Sequence, residues 1–293
     1  MGEAKLDKFG ILMYHRVTPR VAGVDPPTWN VPPQQFRRQL TGLLSRGYRA
    51  WPLRQILEHC AASKPIPPRT FVVTFDDGYD NFYHYAWPVL KELGIPATVF
   101  IATAYLDSPA AFPFDDWTAA GATKVPQVAW QPLSTAHCRE LLEFELVEFG
   151  SHTDSHNEFL GRPDAFRKDL KKSLERLYNV LGYREPAFAF PYGHYNEELI
   201  EAAREAGVAC SLTTEPRIAS AAIDPFHWGR FTATARDTGL TLAMKLNGWY
   251  SAARIAWHCL VRWEKARPTE TPVHVERCRW DHCQKSSRVG LML

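Results

Sequence analysis

The sequence lacks three features that would assign it at once to a class of protein. No uncharged apolar run in its 293 residues approaches the roughly 20 residues that a membrane-spanning helix needs. Neither sign of charge dominates, because 34 Lys and Arg nearly balance 32 Asp and Glu, which argues against a nucleic-acid partner. Its 6 cysteines are too sparse for the disulfide framework of a small secreted domain.

The first residues, MGEAKLDKFGILMYH, also lack the apolar core and small-residue cleavage site of a signal peptide. We therefore expect a cytoplasmic protein. The length allows a large α/β domain with a well-filled core. We predict one large α/β domain over residues 1–238, an amphipathic helical segment over 239–265 and a loosely ordered tail over 266–293.

Short apolar runs alternate with segments of helical period, a pattern typical of repeated βα units around a parallel sheet or barrel. The predicted strands are 10–14, 71–75, 98–101, 146–149, 187–190, 208–212 and 230–234. The predicted helices are 34–46, 81–93, 134–144, 164–181 and 196–206. Segment 104–133 has no clear period, and we predict that it passes over the mouth of the fold.

Two carboxylates end the β-rich run at residues 71–75, which leads directly into Asp76, Asp77 and Gly78. Parallel α/β folds place their functional sites at the carboxyl ends of the strands, and Gly78 permits a sharp turn that aims both carboxylates at one cavity. An ordinary Asp-Gly turn explains the same residues, so this motif alone does not establish a site.

A second predicted strand, 146–149, runs into His152 and His156. Histidines four residues apart lie on the same side of one helical turn, so both imidazoles can bind a single ion. Taken alone, such a pair is more often structural or on the surface. Combined with a carboxylate from another strand end, it supplies the two-nitrogen, one-oxygen ligand set of a catalytic metal that keeps open positions for water.

Two further strand ends carry residues of interest. The segment around Tyr192 and Gly193 presents backbone amides in a turn that can stabilise a developing oxyanion. His15 follows the first predicted strand, where a lone histidine is equally consistent with a structural residue and a proton donor.

These motifs resemble those of the polysaccharide deacetylase family, also called carbohydrate esterase family 4. TFDDG at 74–78 matches the family's first motif, and SHTDSH at 151–156 matches its second. FAFPYG at 188–193 resembles the third motif of the subgroup that deacetylates poly-N-acetylglucosamine. The resemblance covers residues 9–235 and implies an α/β fold, a deformed (β/α) barrel with its site at the carboxyl ends of the strands.

The resemblance also implies roles for individual residues. Asp76 corresponds to the general base. Asp77, His152 and His156 correspond to the metal ligands. The backbone amide of Tyr192 corresponds to a donor that binds the oxyanion.

The chain departs from the family pattern in two places. Many members carry an arginine in the third motif that orients the base, whereas this chain has Ala189 or Phe190 there. Arg230 resembles the replacement that the same subgroup uses.

The second departure concerns the general acid. Many members supply it from a Leu-x-His motif, but the corresponding stretch here, 239–245, contains no histidine. His15 resembles the acid of the poly-N-acetylglucosamine subgroup, and His194 and His227 are its alternatives.

The function implied by the resemblance is metal-dependent hydrolysis of the acetamide of N-acetylated sugars, in a glycan or glycolipid, which releases acetate and a free amine. The expected cofactor is a divalent metal ion. Zinc comes first, with cobalt, nickel and manganese as alternatives, because an Asp, His, His ligand set accepts several metals. Two other functions stay open: an amidohydrolase of the same fold that acts on a non-sugar amide or imide, and a non-catalytic glycan-binding module.

Residues 240–263 carry an apolar stripe at helical spacing. Such a stripe either packs on the domain or lies on a membrane and brings a lipid-linked sugar to the site. Peripheral membrane contact through 240–263 is therefore a second prediction for this segment. In the tail, Cys278, His282 and Cys283 could hold a metal, but their spacing fits no usual zinc pattern.

Overall fold

A mostly parallel sheet runs through the centre of the fold. The computed structural model describes residues 7–25, 29–116, 124–182 and 187–248, all within the unit Met1–Ala253. In this part of the chain the strands are β1 (Lys8–Tyr14), β2 (Arg49–Ala50), β3 (Thr70–Phe75), β4 (Ala97–Ile101), β5 (Val147–Ser151), β6 (Phe188–Ala189), β7 (Ser211–Leu212), β8 (Ala219–Ser220) and β9 (Phe231–Thr232).

The strand order shows that the sheet curves back toward β1. The main path is β7-β6-β5-β4-β3-β1-β8, with β2 paired to β3 and β9 paired to β1. Leu212 at the end of β7 bridges Trp228, and the chain continues from Trp228 into β9, which pairs in parallel with β1 at Leu12 and Met13. A one-residue bridge thus stands where a regular barrel has a full strand pair, in agreement with the predicted deformed barrel.

Seven helices of the described segments lie around the sheet. They are α1 (Pro33–Leu44), α2 (Leu53–Ala61), α3 (Trp87–Leu93), α4 (Thr135–Leu142), α5 (Pro163–Leu181), α6 (Glu197–Glu205) and α7 (Gly239–Leu246). A π-helical turn, Phe82–Ala86, leads directly into α3. None of these helices combines the length and apolar character that a bilayer crossing would require.

Local sequence accounts for the clearest elements. Every residue of β3 is buried, as expected for a parallel strand that is covered on both faces. Helix α5 buries the apolar stripe of Phe166, Leu170 and Leu177, and it ends at Gly182, whose φ of 70° suits a left-handed C-cap. Both elements were predicted from the pattern of apolar residues within one residue of their observed ends.

Several other predictions of secondary structure were wrong. The sequence pattern did not reveal β2, β8 or α2, because two-residue strands carry no periodicity and α2 buries only Leu53 and Ile56. The strands predicted at 187–190, 208–212 and 230–234 are each only two residues long in the structure. Their pairings occur where the sheet is closing, and only short stretches stay in register there.

Helix α7 packs against α1 and β1. Leu242 and Leu246, the first members of the predicted apolar stripe, are buried, and Leu246 occupies the space that a Cβ on Gly10 would need. Residues 249–263 lie outside the described part of the chain, as does the tail with Cys278, His282 and Cys283. Membrane contact and the domain boundaries therefore stay predictions.

Two glycines allow α1 and α7 to meet. A Cβ on Gly42 would lie 2.8 Å from the Cα of Gly239, and a Cβ on Gly239 would lie 2.5 Å from the Cα of Gly42. We expect Gly42→Ala to lower the free energy of unfolding by about 1–2 kcal/mol, because overpacking between two backbones outweighs the roughly 1 kcal/mol that alanine adds to helix propensity. Urea unfolding measures the difference.

Arg38→Ala is the matched control, because Arg38 is an exposed residue of the same helix. It should change the free energy of unfolding by less than about 0.5 kcal/mol. If Gly42→Ala stabilises the protein, the two helices do not meet at these glycines.

Candidate active site

A cleft of about 480 Å³ opens at the carboxyl ends of the strands. The four ionisable residues of the first two motifs line it: Asp76, Asp77, His152 and His156. His15 and the turn at Tyr192 line it as well. The lining also includes Arg16, Trp29, Phe114, Asp116, Phe190, Gly193 and Thr214. The structure therefore brings residues from distant strand ends into one cavity.

Asp76 is held by a buried arginine. Nη1 and Nη2 of Arg230 donate hydrogen bonds of 2.6 and 2.8 Å to the two carboxylate oxygens, and Nε donates to the carbonyl of Thr213 at 3.1 Å. The Arg230 side chain is fully buried. Burial works to raise the pKa of Asp76, but the charge and hydrogen bonds of Arg230 outweigh it and hold that pKa below its ordinary value.

Asp77 points away from Asp76 because the backbone changes direction at this residue. Its φ is 74°, a left-handed conformation that is uncommon outside glycine and marks a constrained position. Gly78 follows with a φ of 85°, and a Cβ there would lie 3.3 Å from Ile101. The turn separates the two adjacent carboxylates, so that Asp76 faces Arg230 and Asp77 faces the histidines.

His152 and His156 converge on Asp77. The Nε2 atoms of His152 and His156 lie 3.6 and 3.3 Å from Oδ1 of Asp77. Nδ1 of His152 donates to the carbonyl of Ala189 at 2.8 Å, which leaves Nε2 as the ring nitrogen that faces Asp77. Burial lowers the pKa of His152 to about 4 despite the nearby carboxylates, so the ring is neutral and can bind a metal.

The helical geometry predicted for this histidine pair was wrong. Residues 152–156 form an irregular turn, with left-handed φ values of 64° at Thr153 and 56° at His156. Oδ1 of Asp169 accepts hydrogen bonds from the amides of Asp154 and Ser155 and fixes the turn. The two imidazoles meet through this turn and not through the spacing of a helix.

The donor set of Asp77, His152 and His156 fits a divalent ion. One donor atom from each residue lies within 4.8 Å of the others, and all three residues are buried. One carboxylate oxygen and two imidazole nitrogens form a ligand set that leaves positions open for water. A ring contact from Phe114, at 3.9 Å between centroids, covers His156.

His15 is the only one of the three predicted acid candidates that lines the cleft. Its ring stacks on Trp29 at 6.0 Å, and its buried Nδ1 has no hydrogen-bond partner among the described residues. His194 lies instead beside Glu158, at 3.4 Å, and His227 lies between Asp224 and Glu197.

The turn at Tyr192 forms one wall of the cleft. Tyr192 has a φ of 58°, and its ring meets the His156 ring edge-on at 4.7 Å. Within the turn the Gly193 amide donates to Phe190 and the His194 amide donates to Pro191. A side chain on Gly193 would overlap Thr214, so this position needs glycine.

Sequence reasoning missed the charged network beside the cleft. The buried Arg16 pairs with Asp115 and Asp116 at 2.7 and 2.9 Å and donates to the hydroxyl of Tyr79 at 2.6 Å. Asp116 and Phe114 both line the cleft, which agrees with the prediction that segment 104–133 passes over the mouth of the fold. Residues 117–123 of that segment lie outside the described part of the chain. No motif or periodicity singles out these residues, because their partners come from other parts of the chain.

Comparison with known proteins identifies a family whose sequence pattern this chain matches. The sequence model of a family described as polysaccharide deacetylase matches residues 63–211. The poly-beta-1,6-N-acetyl-D-glucosamine N-deacetylase of Staphylococcus epidermidis is 27% identical over an alignment of 230 residues that covers 75% of this chain and 73% of the relative. An Escherichia coli K12 protein of the same name is 27% identical over an alignment of 244 residues that covers 73% of this chain and 35% of that longer protein.

A solved structure shares the fold. It is a de-N-acetylase from Aggregatibacter actinomycetemcomitans, with a TM-score of 0.70 and 20% identity, and the match covers 82% of this chain and 100% of that chain. At this identity the likeness bears on the fold alone. It confirms the predicted fold class.

The buried Arg230–Asp76 pair generates a stability prediction. Arg230→Ala should lower the free energy of unfolding by about 3–5 kcal/mol, because it leaves the Asp76 carboxylate buried without its partner. Urea unfolding of the purified variant measures this loss.

Arg37→Ala provides a matched control, since Arg37 also forms two hydrogen bonds to one carboxylate, that of Glu92. Both partners of that pair are exposed to solvent, so its loss should cost only a small fraction of the Arg230 effect. Equal losses in the two variants would contradict the importance of burial for the Arg230–Asp76 pair.

Proposed function

The chain belongs to the polysaccharide deacetylase family, and we propose that it hydrolyses the acetamide groups of an N-acetylglucosamine polymer or glycolipid with the help of a bound metal ion. The observation that carries the proposal is the joint placement of two groups in one cleft. Asp76 is ionised and fixed by Arg230, and beside it lies the cluster of Asp77, His152 and His156.

The names of the relatives support N-acetylglucosamine polymers as the substrate class. The Staphylococcus epidermidis and Escherichia coli proteins are named for poly-beta-1,6-N-acetyl-D-glucosamine. The rim of the cleft carries two exposed aromatic rings, Trp29 and Tyr192, which are suited to stack on sugar rings. We therefore propose β-1,6-linked N-acetylglucosamine oligomers as the first substrates to test.

Asp77, His152 and His156 would hold the metal, with zinc as the proposed ion. When bound, such an ion lowers the pKa of water and polarises a carbonyl. Asp76 then serves as the base that accepts a proton from the attacking water. Arg230 keeps that carboxylate ionised and fixes its direction.

The remaining residues act on the acetamide itself. The backbone amide of Tyr192 donates a hydrogen bond to the carbonyl oxygen as negative charge develops there. His15 donates a proton to the sugar nitrogen as the C–N bond breaks. A C–O bond forms in its place, so the products are acetate and a free amine.

A non-catalytic glycan-binding role is less consistent with the cleft. Asp76 does not belong to the metal-ligand cluster, yet it is buried and bound on both oxygens by Arg230. A binding module has no need for a second buried carboxylate of this kind. Cytoplasmic location and membrane contact through 240–263 stay predictions.

The first test separates the base from the ligands. With added zinc, the protein should release acetate from N-acetylglucosamine oligomers. We expect Asp76→Asn to retain the metal and lose about 10²–10⁴-fold in rate, because it cannot accept the proton. Asp77→Ala should lose the metal itself, and metal analysis after dialysis distinguishes the two variants.

Chelation of the wild-type protein is the control for this experiment and should abolish acetate release, with recovery on adding zinc. Near-normal turnover by Asp76→Asn would contradict its role as base. Release of acetate or ammonia only from non-sugar amides or imides would move the substrate outside the carbohydrate class.

A second test concerns the acid. His15→Ala should lower the rate of acetate release by about 10²–10⁴-fold without loss of metal, since the leaving amine then departs without a proton donor. His194→Ala is the matched control, because His194 does not line the cleft. Equal rates for the two variants would remove His15 from the mechanism.

A further inference from the structure

A second cluster of histidine and carboxylate side chains lies outside the cleft. It consists of Asp80, His84 and His137. The mechanism uses none of these residues, and the sequence motifs do not include them. Among the described residues this is the only other group of three potential ligands that brings one donor atom from each within 4.8 Å of the others.

The donor atoms converge on the two oxygens of one carboxylate. Nδ1 of His137 lies 2.6 Å from Oδ1 of Asp80, and Nε2 of His84 lies 3.2 Å from Oδ2. The His84 and His137 rings meet edge-on, with centroids 5.5 Å apart. The cluster thus presents two imidazole nitrogens and one carboxylate, the same donor types as the cluster in the cleft.

Two elements position these donors. The π-helical turn Phe82–Ala86 carries His84 one turn after Asp80, and such turns occur frequently at functional sites. His137 lies in the first turn of α4, where its amide donates to the capping hydroxyl of Ser134. The cluster therefore joins the segment that follows the Asp76-Asp77 turn to a separate helix.

Neighbouring groups fix the His137 ring. The ring of Tyr83 stacks on it in parallel, with centroids 3.9 Å apart. The Tyr83 hydroxyl donates to Glu140, which is also part of α4, at 2.7 Å. Support of this kind around a ligand holds its ring in one orientation and strengthens metal binding.

We propose that Asp80, His84 and His137 form a second divalent-metal site that takes zinc or a similar ion. Each imidazole can turn a lone pair toward the ion by keeping its proton on the other ring nitrogen. The side chain of Asp80 is 10% exposed, that of His137 29% and that of His84 43%. The ion is thus accessible from solvent and keeps positions open for water.

The proposed ion would have a structural effect near the cleft. It would cross-link the π-helical turn to α4, two elements otherwise joined here by hydrogen bonds and ring stacking. An ion that binds only to the folded state stabilises that state by mass action. Zinc should therefore raise the melting temperature through this site even when the site in the cleft is removed.

Zinc counting on the untagged chain of 293 residues tests the proposal. The variant His152→Ala, which lacks a donor in the cleft, serves as the background. We expect the wild-type chain to bind two zinc ions, His152→Ala to bind one, and His152→Ala with His84→Ala to bind none. Equilibrium dialysis followed by metal analysis gives the counts, and the zinc-dependent rise in melting temperature should vanish in the double variant.

Two controls keep the result interpretable. His59→Ala in the same background removes a histidine that belongs to neither cluster, and it should leave the count at one. Replacing Cys278 and Cys283 by serine tests the tail, and it should also leave the count at one. Loss of zinc in that variant would assign the ion to the tail and overturn the proposal.

Other outcomes also decide the question. If His152→Ala binds no zinc, the cluster is a hydrogen-bonded group of Asp80 with two histidines and the proposal is wrong. If the His84→Ala double variant keeps its zinc, the proposal is equally wrong. His84→Ala alone should retain acetate release, so failure of the second site and failure of the deacetylase function are distinguishable.

Discussion

The buried ion pair between Arg230 and Asp76 is the constraint on which the rest of the site depends. Two charges removed from water must be paired, because an isolated buried charge is far too costly. The pair requires the segment before β9 to meet the end of β3, although the two are 154 residues apart. The pair lies beside β9, the last strand of the described residues, which pairs with β1, and it holds a fixed, ionised carboxylate at the cleft.

Several residues in and beside the cleft have a left-handed backbone. Asp77, Thr153, His156 and Tyr192 all have left-handed φ values although none is glycine. Such conformations cost on the order of 1–3 kcal/mol each and persist only where the surrounding packing requires them. Here they separate Asp77 from Asp76, bring two histidines together outside a helix and expose the Tyr192 turn. The buried strands β3 to β6 supply the rigid frame that holds these turns.

The departures from the common family pattern have a physical explanation in this frame. The carboxyl ends of parallel strands meet at one edge, so a side chain from any strand end can reach the cleft. His15 follows β1 at that edge and lines the cleft, whereas His194 and His227 form contacts with acidic residues outside its lining. Arg230 lies at the amino end of β9 and not at a carboxyl end, but its long side chain reaches both carboxylate oxygens of Asp76 although the third motif lacks an arginine.

The sequence by itself determined the α/β class, the longer strands and helices, and the cluster of Asp77, His152 and His156, because each rests on local periodicity or on contiguous motifs. It did not determine the two-residue strands, the irregular turn at 152–156, or the network of Arg16 with Asp115 and Asp116. Nor did it reveal the cluster of Asp80, His84 and His137. Only the tertiary structure decided these features, because each depends on groups distant in sequence or on backbone conformations that packing imposes.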